Sequence, residues 1–203
     1  MTVETRDRLM MTRCIELAKA SSKAGEYPYA AVLCRGDTVV AESTNRVTQD
    51  RDVTRHAEVV AISQAQKTLD TVSLDDCELY LLGEPCAFCS YAIRESRIRR
   101  VVYGLSSPHM GGVSKWNILT DTDLCTTMPE VFAPPPEIVS GFMAAEAERA
   151  ITDCDPMIAG ILKQRGLFVA PASTTVTPAP AAGLRNRILQ FLRRNFFDYF
   201  GRR

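Results

Sequence analysis

The apolar positions of this chain change their spacing several times, and each change marks an element. From Arg6 to Lys23 they fall at Leu9, Met10, Ile15, Leu17, Ala18 and Ala20, an imperfect helical stripe that Gly25 ends. Tyr27 to Cys34 and Thr38 to Ala41 are apolar runs around Arg35-Gly36-Asp37-Thr38, the pattern of a β-hairpin. Val53 to Leu69 places Ala57, Val60, Ala61, Gln64, Ala65 and Thr68 at helical spacing, with Leu69 closing the turn. Glu78 to Leu82 reads as a short buried strand. Pro85 then opens a helix through Ile93 towards Arg97, because a missing N–H costs nothing at a first helical position. Arg100 to Leu105 is another buried strand. The order α-β-β-α-β-α-β predicts a layered α/β sheet.

Beyond that core the pattern loosens. Ser106 to Pro136 is a long irregular stretch with Gly111-Gly112, Trp116 and Pro134-Pro135-Pro136, and long ordered loops in compact domains are disproportionately functional. Glu137 to Val139 is strand-like, Phe142 to Ile151 and Pro156 to Gln164 read as helices, and Leu167 to Val169 reads as a last strand. Three parts follow: a domain over 1–170, a Pro/Ala/Thr-rich linker over 171–183, and a basic amphipathic helix over 184–203. In that tail Leu184, Ile188, Leu189, Phe191, Leu192, Phe196, Tyr199 and Phe200 share half a helical wheel, with Arg187, Arg193 and Arg194 opposite. Such a helix docks on its own core or a dimer mate, or adsorbs peripherally to a membrane.

Composition narrows the class. Hydrophobic residues make up 46% and charged residues 24% of the 203, ordinary for a globular domain. No apolar run approaches the roughly 18 residues of a spanning helix, and the charged N-terminus lacks a secretory h-region. Seven cysteines, an odd number at scattered spacing, suit a reducing, cytoplasmic compartment and metal use over disulfides. The formal net charge is zero, but six of the 24 basic residues and one of the 24 acidic residues lie in 184–203. The first 183 residues therefore carry −5, which does not suit a general polyanion binder.

The chemistry sits in a split pair of motifs, His56-Ala57-Glu58 and Pro85-Cys86-Ala87-Phe88-Cys89, with 30 residues from His56 to Cys86. One imidazole and two thiolates make a zinc set with a fourth position open to water. Cys86 and Cys89, three apart at a helix start, can face one ion, and Glu58 can stand beside the metal's water without ligating it. A structural zinc ribbon needs a second cysteine pair, and Cys14, Cys34, Cys77, Cys125 and Cys154 supply none at that spacing. A thioredoxin-like redox pair would leave His-x-Glu unexplained.

These motifs together form the signature of zinc deaminases, and the chain resembles the cytidine deaminase superfamily, in the branch of tRNA adenosine deaminases and bacterial guanine deaminases. The resemblance runs from about residue 5 to residue 150 and includes Glu26-Tyr27-Pro28-Tyr29-Ala30-Ala31-Val32, where Ala30 replaces the usual glycine. It implies a three-layer α-β-α sandwich with a central mixed sheet of about five strands. It implies one zinc ion per chain held by His56, Cys86 and Cys89, with Glu58 as the proton shuttle. Asn45, 11 residues before His56, matches the family's base-contacting asparagine, and Ala57 and Pro85 would flank the substrate ring. Tyr29 either lines the pocket or belongs to the core.

The stretch Ser107 to Asn117 departs from the usual tRNA deaminase loop. There Trp116 either stacks on a base or anchors the loop, and Asn117 could read a base edge. The acidic core and this loop favour an aminohydrolase of a free nucleobase or nucleoside, purine above pyrimidine. A tRNA adenosine-to-inosine deaminase is the alternative, and a non-catalytic, zinc-bearing interaction protein is the alternative of another class. The resemblance also implies a homodimer.

Overall fold

A computed structural model describes residues 2–154, 156–171 and 174–176. Helix α1, Val3–Lys23, starts three residues before the apolar stripe because Thr2 caps it, its Oγ1 accepting the Thr5 N–H at 3.2 Å. The hairpin forms as predicted: β1, Ala30–Arg35, pairs antiparallel with β2, Thr38–Thr44, and Gly36 takes φ 57° in the turn. A short helix α2, Val47–Asp50, precedes α3, Ala57–Thr68. The second helix thus begins later than its expected start at Val53. Arg51 is left-handed at φ 53° and Asp52 Oδ1 accepts the Thr54 N–H at 2.8 Å, a local turn that competes with helix.

Strand β3, Cys77–Gly83, leads into α4, Ala87–Glu95, and β4, Arg100–Leu105. A left-handed Arg97, at φ 65°, ends α4 before its expected limit. The long irregular stretch contains one short helix, α5, Asp123–Thr127, before β5, Glu137–Ser140. Helices α6, Ala144–Thr152, and α7, Pro156–Gln164, follow, and β6, Thr174–Val176, adds an edge strand. The sheet order is β2-β1-β3-β4-β5-β6, with β3, β4 and β5 parallel and the other pairings antiparallel. Leu167 to Val169 forms no strand. Gly166, at φ 58°, turns the chain after α7, and Val169 makes a single bridge to Ser106.

Both sheet faces are covered, which gives the three layers. Along β1, Ala30, Val32 and Cys34 pack towards α1 and α6, while Ala31 and Leu33 pack towards α3 and α4. The same alternation sends Tyr80, Leu82 and Val102 to the first layer and Leu79, Leu81 and Tyr103 to the second. The three-layer α-β-α sandwich with a central mixed sheet is therefore present, its five strands β2-β1-β3-β4-β5 extended by β6 at one edge.

A buried ion network pins α1 to the sheet. Arg100 grips Asp7 through two hydrogen bonds, of 2.8 and 2.7 Å, and also donates to Glu78 and Glu137. Glu78 accepts from Arg6 and Arg99 as well, and the Tyr80 hydroxyl donates to Asp7 at 2.7 Å. Asp7 and Glu78 are 3% and 1% exposed, so each charge depends on these partners.

Among the described residues no helix is long and apolar enough to cross a membrane. The tail helix expected over 184–203, and with it the membrane contact, lies outside the described residues, as does most of the linker expected over 171–183.

Candidate active site

Two helix starts meet at the carboxyl end of the parallel strands, where ligands bind in open α/β sheets. His56 is the cap residue of α3, its side chain making no capping bond, and Cys86 is the cap residue of α4, its sulfur accepting from Cys89 one turn on. Both side chains stay available to a ligand, and both positive helix ends favour an anionic donor. Cys89 follows one turn into α4, buried at 0% exposure.

The three donors converge. His56 Nδ1 lies 3.4 Å from Cys89 Sγ and 3.7 Å from Cys86 Sγ, and all three ligand atoms fall within 4.8 Å of one another. Tetrahedral zinc, with bonds of roughly 2.0 Å to nitrogen and 2.3 Å to sulfur, sets those ligands about 3.6 Å apart. The Cys86 thiol is drawn down to about 4, chiefly by the hydrogen bond from Cys89 and also by His56. The same contact and burial push Cys89 far up. Two adjacent thiolates repel, and a divalent cation between them lets both ionise. The residues present fit zinc.

A cavity of about 330 Å³ opens beside these donors. His56, Glu58 and Cys86 line it together with Asn45, Tyr29, Phe168 and Arg165. Burial raises the Glu58 carboxyl above its ordinary 4.5, with the charge of Cys86 adding and its own backbone N–H opposing. The Tyr29 ring lies 5.7 Å from Phe168 and 5.8 Å from Tyr27.

The remaining candidates lie elsewhere. Ala57 is buried in the layer of α3 and α4, and Pro85 is buried with its carbonyl accepting the Gly112 N–H at 2.9 Å. Neither is among the residues that line the cavity. Trp116 is 56% exposed beneath the Lys115 ammonium, and Asn117 bonds Thr120; both stand off the lining.

Three residues that shape the site were not singled out from sequence. Glu26, 1% exposed, accepts the Asn45 amide N–H at 2.9 Å and the Gln49 backbone N–H at 2.7 Å. A carboxylate can only accept, so Glu26 fixes the Asn45 amide with its nitrogen inward. Glu84 takes the N–H groups of Ser107, Val113 and Ser114 at 2.7 to 2.8 Å, plus the Ser114 hydroxyl. One buried carboxylate thus folds the loop from Ser107 to Ser114 against the Pro85-Cys86 turn. Arg94, 1% exposed, donates to the carbonyls of Ile118, Asp121 and Ala133 and so ties the rest of the irregular stretch to α4. A glutamate after a strand or an arginine late in a helix carries no local mark of such partners.

The paired glycines answer to this packing. A Cβ on Gly111 would overlap the Glu84 carboxylate, and one on Gly112 would overlap Ser90 Oγ. Gly111→Ala is therefore expected to lower stability by about 1–3 kcal/mol, read as a lower urea midpoint. An unchanged midpoint would mean that Glu84 does not need that close approach.

Residues 4–105 match the family of the cytidine and deoxycytidylate deaminase zinc-binding region. The tRNA-specific adenosine deaminase of Aquifex aeolicus is 40% identical over 108 residues, which are 53% of this chain and 72% of that protein. Among solved structures, a tRNA deaminase of A-to-I editing at the wobble position is 31% identical with a TM-score of 0.60. That match covers 70% of this chain and 99% of the other. The guanine deaminase from Nitrosomonas europaea is 25% identical at a TM-score of 0.58, covering 75% of this chain and 84% of the other.

Proposed function

This chain belongs to the cytidine and deoxycytidylate deaminase family and is a zinc-dependent hydrolytic deaminase; from that premise we propose that its substrate is an adenosine carried in tRNA, converted to inosine. The observation that carries this reading is the extent of the likeness to the wobble-position tRNA deaminase, 99% of which is covered at a TM-score of 0.60. Curated relatives acting on tRNA adenosine reach 40% identity. The acidic balance of the first 183 residues favours a free base, yet the likeness weighs more, because local cations rather than net charge grip a phosphate backbone.

The reaction exchanges the bond from a ring carbon to its exocyclic amino nitrogen for C–O: water adds at that carbon, ammonia leaves and a carbonyl remains. His56, Cys86 and Cys89 would hold the zinc ion, whose Lewis acidity would bring the pKa of a water near neutrality. Glu58 takes the proton of the attacking water and returns it to the leaving nitrogen. Burial raises its pKa, which favours the form that carries the proton between the two steps. Asn45, with one amide N–H committed to Glu26, keeps Oδ1 and its second N–H for the edge of the base. Tyr29 and Phe168 supply an apolar wall. A cavity of about 330 Å³ holds one extruded nucleotide, not a stretch of duplex.

A second reading, deamination of free guanine, draws support from the Nitrosomonas neighbour. Ammonia release from the zinc-loaded protein separates the two, with an anticodon stem-loop, adenosine and guanine as substrates. The tRNA reading expects the stem-loop to be preferred, with kcat/KM falling steeply between roughly 50 and 200 mM salt. Turnover of guanine at a salt-independent rate, with the stem-loop untouched, would transfer the conclusion to the second reading. A cytoplasmic homodimer belongs to the same proposal. No disulfide joins any of the seven cysteines, and the exposed Phe88 and Tyr91 on α4 offer an apolar face for pairing two copies.

A further inference from the structure

The cavity carries two features at its mouth that the deamination chemistry leaves unused. Tyr27 lines the cavity yet is 44% exposed, whereas its neighbour Tyr29 is half-buried inside. The two rings are parallel to within 6°, with centroids 5.8 Å apart, an offset stack. Tyr29 in turn rests against Phe168. The exposed ring is thus braced by Tyr29, which Phe168 supports in turn, while much of Tyr27 stays open to solvent.

The second feature is Arg165, just past the end of α7. It is exposed, and it is the one lysine or arginine among the described residues that line the cavity. In a chain whose first 183 residues carry −5, a cation at this mouth stands out against its surroundings. Guanidinium groups pair with phosphate through parallel N–H donors.

Extruding a nucleotide into a closed cavity takes its base out of the stack, and the adjoining base loses a partner. An aromatic face beside the opening replaces that partner at low cost, and it accepts any base because every base has a π-face. The phosphate joining the two nucleotides must then cross the same mouth. From this geometry, and resting on the tRNA reading above, we propose that Tyr27 is the stacking platform for the nucleotide adjoining the deaminated one. Arg165 pairs with the phosphate between them. The two residues make the site prefer a single-stranded oligonucleotide over a free nucleoside.

The test is steady-state deamination and fluorescence with an RNA stem-loop carrying 2-aminopurine beside the target adenosine. Tyr27→Ala is expected to raise KM about tenfold or more with kcat within twofold of wild type, and to abolish the quenching of 2-aminopurine on binding. Tyr27→Phe should restore both. Tyr27→Leu separates stacking from packing: it keeps apolar bulk against Tyr29 but offers no π-face, so it should behave as the alanine variant does. Arg165→Gln is expected to reduce the slope of log KM against log salt by about one. If Tyr27→Leu matches wild type, or 2-aminopurine stays quenched in Tyr27→Ala, the platform is overturned. An unchanged salt slope in Arg165→Gln removes the phosphate contact. If wild type itself neither binds nor deaminates the stem-loop, the tRNA reading fails and the platform falls with it, an outcome distinct from those of the variants.

Discussion

Glu58→Gln is expected to lower kcat by about 10²–10⁴-fold while leaving one zinc bound per chain. Glutamine keeps the volume of the side chain in the cavity wall but can no longer accept a proton from water or return it to the leaving amine. Glu58 stands in the first turn of α3, two residues beyond His56, and lines the cavity. Burial raises its carboxyl above its ordinary 4.5. Single-turnover ammonia release and metal analysis on the same sample check the expectation. Retained activity would remove the proton-shuttle role, and lost zinc would make Glu58 part of the metal's support.

Arg100→Met is expected to destabilise the fold by about 3–5 kcal/mol, a large share of the roughly 5–15 kcal/mol that holds a domain together. Methionine fills much of the volume but leaves the Asp7 carboxylate, 3% exposed, with only the Tyr80 hydroxyl in place of its bidentate partner. In the native protein burial pulls the carboxyls of Asp7 and Glu78 up, but hydrogen bonds from Arg100 and Tyr80 to Asp7, and from Arg99 and Tyr80 to Glu78, outweigh it. Both sit below their ordinary 3.8 and 4.5.

A carboxyl depressed by folding contributes stability above its unfolded pKa and loses it as pH falls through the folded value. Native stability should therefore hold near neutrality and decline once pH drops below about 4. In the variant, Asp7 lacks that cation and burial favours its protonated form. The deficit should therefore be largest at neutral pH and shrink in acid. Urea unfolding at pH 7 and pH 3 measures both, and a constant deficit would show that Arg100 acts through packing alone.

The parts of the site that local spacing controls were legible in the chain. Cys86 and Cys89 lie one helical turn apart, His56 and Glu58 open a neighbouring helix, and each placement needs only a helix start and its first turn. The alternation along Ala30 to Cys34 and Leu79 to Leu82 likewise reports a sheet covered on both faces. Helix starts were less legible. Thr2 and Asp52 decide them through local hydrogen bonds to Thr5 and Thr54 that compete with a stripe visible over many residues.

The substrate side of the cavity was legible only in part. Asn45 and Tyr29 do line it, but Trp116, the residue with the most conspicuous side chain in the irregular stretch, faces solvent. Phe168 and Arg165 come in instead, from a segment more than 80 residues beyond His56. Which aromatic turns inward depends on how the loop closes. Glu84 gathers its first half through three backbone N–H groups and one hydroxyl, and Arg94 holds its second half through three carbonyls.

By itself, then, the sequence determined the donor set of His56, Cys86 and Cys89, the place of Glu58 two residues beyond His56 and the layered sheet, because each follows from residue type and short-range period. Only the tertiary structure decided the far wall of the cavity, the orientation of Asn45 by Glu26 and the outward placing of Trp116. Those depend on buried charges satisfying backbone groups distant in the chain. A side chain's need for partners is fixed by its chemistry, but which partners it meets is fixed by the fold.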